Sequence, residues 1–161
     1  MLIFQNSATK WQTKKLAIEA IGSSLQKLTS KLEISEFSAI PLVVVVKHYT
    51  KGFQESNFNL MKAIMEFFLC ITQAHEEIKK KVQIWMCREA ICVAIDKISD
   101  KKLGLCASSL LTSLCVVQMP GKIVSMSIQI IDNVKSPTPH EKLLSWCLET
   151  SINFGAITLW E

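Results

Sequence analysis

The chain has 161 residues, enough for one domain or for a piece of a longer helical solenoid. An apolar fraction of 49% beside a charged fraction of 20% excludes a disordered tail and predicts a substantial buried core. The net charge is +4, and only Arg88 among the eighteen basic residues is an arginine; this balance argues against sequence-specific nucleic-acid binding, which favours the bidentate guanidinium.

The first helix is predicted over about Lys10 to Leu28. Thr9 and Gln12 are spaced as a capping box, and Ala17, Ala20, Ile21, Leu25 and Leu28 form one apolar stripe. The second element, about Ser38 to Tyr49, contains Val43-Val44-Val45-Val46 and would pass as a buried strand on propensity alone. Pro41 suits a first helical turn and no second strand exists to pair with, so the reading is a helix burying Leu42, Val45, Val46 and Tyr49. The third helix, about Asn57 to Gln73, places Phe58, Met61, Met65, Phe68 and Thr72 on one side.

The fourth helix is expected to run unbroken from Glu76 to Ile98, apolar on two sides. One side holds Val82, Met86, Ala90 and Val93; the other holds Ile84, Ile91, Ile95 and Ile98. A helix of that kind is sandwiched between neighbours. The fifth, Lys101 to Val117, carries Leu103, Ala107, Leu110, Leu114 and Val117. Pro120-Gly121 is read as a break, followed by a sixth helix from Ile123 to Val134 with Val124, Ile128 and Ile131 inward. Thr138-Pro139-His140-Glu141 reads as N-cap, first-position proline and capping-box Glu of a seventh helix, which Gly155 ends. Trp85 and Trp146 fall in apolar stripes and are assigned to the core.

Four polar turns open helices at roughly the spacing of a HEAT repeat: Thr9-Lys10-Trp11-Gln12, Gly52 to Asn57, Ser99-Asp100-Lys101-Lys102 and Lys135-Ser136-Pro137-Thr138. The predicted fold is therefore all-α, an α-solenoid of HEAT-like helix pairs (an ARM/HEAT superhelix) with about seven helices. Stacked pairs would put the turns on one edge, where an exposed Trp and several Lys make a binding ridge rather than an active site.

No motif for catalysis or metal binding appears. Cys70, Cys87, Cys92, Cys106, Cys115 and Cys147 form no C-x-x-C pair and lie in helical apolar patterns, so reduced core thiols are expected. His75-Glu76 and His140-Glu141 begin like a zinc-protease motif, but Lys79 and Leu144 stand where the second His would be. No cofactor is assigned and no enzymatic function is expected. Met1 to Asn6 is too short for a signal-peptide apolar region, and the longest apolar run, Ala39 to Val46, is far below a membrane span. A soluble cytoplasmic protein without a membrane partner follows as the expectation.

The residues at these turns resemble those of TOG domains, the tubulin-binding modules of the chTOG-type microtubule polymerase family. Lys10 to Ala20 resembles the Trp-containing turn and helix that open such a domain. Lys51-Gly52-Phe53-Gln54-Glu55-Ser56-Asn57-Phe58-Asn59-Leu60-Met61 resembles the second turn of the middle TOG domains. Asp96 to Lys102 resembles the third turn, and Lys135-Ser136-Pro137, Leu144-Ser145-Trp146 and Asn153-Phe154-Gly155 resemble parts of the fourth repeat.

The resemblance implies that residues 9–156 are a partial TOG-like domain ending in the fourth of six repeats, with 1–8 a remnant helix and 157–161 a tail. It implies a tubulin dimer or microtubule plus end as partner, on the cytoskeleton at centrosome or spindle. Trp11 would be the apolar anchor, with Lys14, Lys51, Phe53, Asn57, Lys101, Lys102 and Lys135 as further contacts. On the residues alone, the favoured reading is that Trp11 folds back onto its own helix; the resemblance is what puts the binding reading ahead. The alternative function is a HEAT scaffold for a partner other than tubulin. An uncapped last repeat would expose Ile152, Phe154, Ile157, Leu159 and Trp160 and favour self-association.

Overall fold

A computed structural model of the chain describes residues 11–28, 46 and 57–155. Among the described residues there are seven helices and no strand. They are α1 (Trp11–Lys27), α2 (Phe58–Gln73), α3 (Glu76–Lys79), α4 (Ile84–Lys97), α5 (Gly104–Val117), α6 (Pro120–Ile131) and α7 (Pro137–Phe154). The all-α expectation holds for these residues. Of the Ser38–Tyr49 element only Val46 is described; it is helical and fully buried. The chain divides into two compact units, residues 1–86 and 87–161, with the division inside α4.

In the first unit α1 packs on α2. The buried residues of α1 are Ile18, Gly22 and Leu25, spaced as one helical face. The expected stripe is thus turned by one position: Ala20 is exposed and Ile21 only half-buried. Gly22 lies at the centre of the observed face, against Cys70 and Phe67 of α2. Helix α2 begins where Asn57 Oδ1 accepts from the Leu60 N–H at 3.1 Å, an N-cap in extended geometry. It buries Leu60, Met61, Ala63, Ile64, Met65, Phe67, Phe68 and Ile71, while Lys62 and Glu66 stay exposed. Each large side chain withdrawn from water contributes about 1.5–3 kcal/mol, so this helix anchors its unit. Phe58 departs from the expected face and is exposed.

The single helix expected over Glu76–Ile98 is two helices. His75 Nδ1 accepts from the Glu77 N–H and starts α3, which closes in tight turns, Lys81 N–H to Ile78 O and Val82 N–H to Lys79 O. Chain then turns and re-enters as α4. No Gly or Pro marks this break; it keeps both Ile78 and Val82 buried while Lys79, Lys80 and Lys81 remain at least partly in water. In α4 the expected buried residues Met86, Ala90, Val93, Ile91, Ile95 and the following Ile98 are inside, but Ile84 is exposed. Trp85 is half-buried rather than core, its Nε1–H donating to Gln83 Oε1.

In the second unit α6 packs on both α5 and α7. Helix α5 starts at Gly104, with Lys101–Leu103 in the preceding turn, and buries Ala107, Leu110, Leu111, Leu114 and Cys115. Pro120 does not break the chain after α5 but opens α6 from its first helical position, where a missing N–H leaves nothing unsatisfied. The inward face of α6 is Ile123, Ser127 and Ile131; Val124 is half-buried and Ile128 exposed. Apolar residues occur all round this helix, so periodicity could not fix its phase. Ser127 can sit at the seam because its hydroxyl donates to Ile123 O at 2.8 Å. Helix α7 starts two residues earlier than expected, with Ser136 as N-cap and Pro137 first in the helix, so Thr138 lies in its first turn. Instead of a capping box at Glu141, His140 Nδ1–H donates to Ser136 O at 2.8 Å. Gly155 ends the helix at φ +83°, as its position suggested. Trp146 is core, and its indole N–H donates to Thr112 Oγ1 at 3.0 Å, tying α7 to α5.

Candidate functional site

The best-defined exposed feature is the α4–α5 turn. The Asp100 carboxylate accepts two backbone N–H groups through one oxygen, from Lys102 at 2.7 Å and Leu103 at 2.9 Å. The Asp100 carbonyl accepts from the Gly104 N–H at 2.9 Å. Leu103 is buried beneath the turn. These anchors fix the backbone, so exposed Lys101 and Lys102 leave a rigid support. The N–H groups of Leu103 and Lys102, in that order of effect, hold the Asp100 carboxyl below the usual carboxylate range. The turn therefore keeps its internal anion at neutral pH while presenting two cations.

A groove of about 440 Å³ opens beside this turn. Trp146 and Ile98 supply its apolar lining, with Lys101, Lys142, Ser108 and Glu149 among its polar residues. Leu105, on the same groove, is 87% exposed. The lining thus mixes apolar and charged side chains. Among the described residues no group of three or more His, Cys, Asp or Glu is placed to hold a metal ion.

The sequence-derived site residues divide between the two units. Trp11 opens α1 and is half-buried, as is Lys14 one turn later. Asn57 caps α2, so its side-chain oxygen has a structural task at the place where a contact was expected. Lys51 and Phe53 lie outside the described residues, as does Thr9 of the expected capping box. Lys101 and Lys102 share one turn; Lys135 is exposed in the separate α6–α7 connection of the same unit. The groove beside Lys101 was missed in the sequence because Lys142 and Glu149 reach it from α7, some forty residues on.

None of the six cysteines forms a disulfide. Burial pushes the Cys87 thiol up to about 11 and the Cys115 thiol up to about 12, which leaves both poor nucleophiles. Two lysines of the run at 79–81 form ion pairs, Lys79 with Glu76 at 2.7 Å and Lys80 with Glu77 at 2.5 Å. No described helix is long and apolar enough to cross a membrane. No family model, no curated protein and no solved structure matches the chain.

Proposed function

We propose that the chain is a TOG-type module of HEAT-like helix pairs that binds tubulin non-covalently through its inter-helix turns and so regulates microtubule dynamics. The observation that carries the reading is the Asp100-locked turn with Lys101 and Lys102 exposed, at a position that resembles a TOG tubulin-contacting turn. Its support is threefold: short turns between successive helices from α2 to α7, lysines on the α4–α5 and α6–α7 turns, and a Trp at the first position of α1. Turns fixed before binding lose little entropy on docking, and lysines facing acidic tubulin raise the association rate. This reading places the protein on the cytoskeleton, at centrosome, spindle or microtubule plus end.

The test compares Trp11→Ala with Lys80→Ala by co-elution with tubulin at low salt. Loss of an aromatic anchor is expected to weaken binding by about tenfold or more, whereas Lys80, engaged with Glu77 on α3, should matter little. Equal loss from both variants counts against the proposal. Raising the salt from low to physiological should also weaken binding, because exposed lysines act through screened fields.

A second reading, a HEAT scaffold for another protein, has its own support. Leu144, Leu148 and Ile152 recur every four residues on α7 and are 67%, 64% and 74% exposed. Such a stripe on a soluble helix marks a face fit for a protein partner. A cytosolic pull-down that enriches a different protein and leaves tubulin behind would favour it.

A further inference from the structure

Two hydroxyl residues beside Lys135 are each followed by proline, Ser136-Pro137 and Thr138-Pro139. The fold treats the two pairs differently. Ser136 is exposed in extended backbone, φ −76° and ψ 136°, and its hydroxyl makes no capping bond to α7. Pro137 is exposed behind it. Thr138, in contrast, lies within the first turn of α7, and its Pro139 is buried. The backbone at Ser136 is held from behind, since its carbonyl oxygen accepts from His140 Nδ1. The side chain is thus presented from one extended residue at the start of α7.

We propose that Ser136 is a phosphorylation site for a proline-directed serine/threonine kinase, and that the phosphate weakens the basic contact at Lys135. The second half rests on the tubulin reading. A kinase cleft takes its substrate as an extended strand, and a proline-directed kinase accepts a following residue without an N–H. Ser136 is already extended and its Pro137 is exposed at the first position of α7, so only the opening turn of that helix has to unwind; Thr138 lies deeper in the helix and would also have to draw Pro139 out of the core. In the transfer, Ser136 Oγ bonds to the γ-phosphorus of ATP and the bond from that phosphorus to the bridging oxygen breaks. ADP departs, and the hydroxyl proton passes to the catalytic carboxylate of the kinase. A neutral side chain becomes one carrying about −1.5 to −2 charges next to Lys135, which turns a local attraction for an acidic partner into repulsion.

The experiment incubates the full chain with ATP and a cyclin-dependent kinase and maps phosphate by tandem mass spectrometry, in parallel with Ser136→Ala and Thr138→Ala. Phosphate on Ser136, absent from Ser136→Ala and retained in Thr138→Ala, is expected. Phosphate on Thr138 alone, or on neither residue, overturns the assignment. Tubulin affinity of the phosphorylated chain should fall about tenfold at low salt, with the gap closing as salt rises. Equal affinity of the two forms overturns the regulatory half and leaves the tubulin reading standing. Failure of the unphosphorylated chain to bind tubulin removes that reading and the regulation together, while the site itself is still decided by the mass spectrum.

Discussion

Asp100 performs the most consequential single-residue task in the described structure, since one oxygen holds two backbone N–H groups of the turn that displays Lys101 and Lys102. Because its folded pKa is depressed, the stabilisation is fully present above the ordinary carboxylate value and is lost as pH falls through the lowered one. Acid denaturation of the wild type should therefore show a component below the ordinary Asp range that Asp100→Asn lacks, because the amide keeps the acceptor but does not titrate there. Identical acid profiles for the two proteins, followed by circular dichroism, would sink this account. The thiols give a second residue-scale test. Cys87 and Cys115, raised by burial to about 11 and about 12, should resist iodoacetamide in the native protein at pH 8 and react only after denaturation. Rapid native labelling of either would show that its burial is not maintained.

At the scale of elements, two helical glycines make opposite demands. A Cβ on Gly22 would meet Cys70 Sγ at 3.6 Å, ordinary contact beside a groove of about 240 Å³ between α1 and α2. Gly22→Ala should therefore stabilise the first unit by about 0.5–1 kcal/mol, through helix propensity without a clash. A Cβ on Gly104 would stand 2.8 Å from the Ile98 carbonyl oxygen, too close for any side chain, with backbone on the other side. Gly104→Ala should cost about 1–3 kcal/mol and loosen the Lys101–Lys102 turn. Thermal melts of the two variants should shift in opposite directions; shifts of the same sign would contradict the packing described.

Helix caps were legible in sequence where the chemistry is local. Gly155 closes α7 as its residue type suggested, whereas Asn57, read in sequence as a contact residue, caps α2. Where two local solutions competed, the sequence could not choose. Ser136-Pro137 and Thr138-Pro139 are equivalent start signals two residues apart, and burial of Pro139 goes with the earlier one.

At the scale of the whole molecule, Leu144, Leu148 and Ile152 form an exposed apolar stripe at helical period on α7. Of the apolar end expected to be uncapped, Ile152 is exposed and Phe154 half-buried; Ile157, Leu159 and Trp160 lie outside the described residues. Leu148→Glu should reduce concentration-dependent self-association in sedimentation without lowering the melting temperature, because the side chain is 64% exposed in the folded chain. Unchanged association, or a large loss of stability, would mean that this face does not mediate contact between copies.

The sequence by itself determined that the described chain is helical, the order of its helices and several of their ends, because hydrophobic period, caps and prolines act over a few residues. It also marked the lysines of the α4–α5 turn, since a polar break between two apolar helices is visible locally. Only the tertiary structure decided the phase of α1 and α6, the break after Lys79, the burial of Trp146 but not Trp85, and the groove beside Lys101. Each of these depends on which distant surface a side chain meets: Gly22 on Cys70, Trp146 on Thr112, Lys142 near the turn at Lys101. A period in the chain says that a face will be buried; the partner that buries it selects the residues.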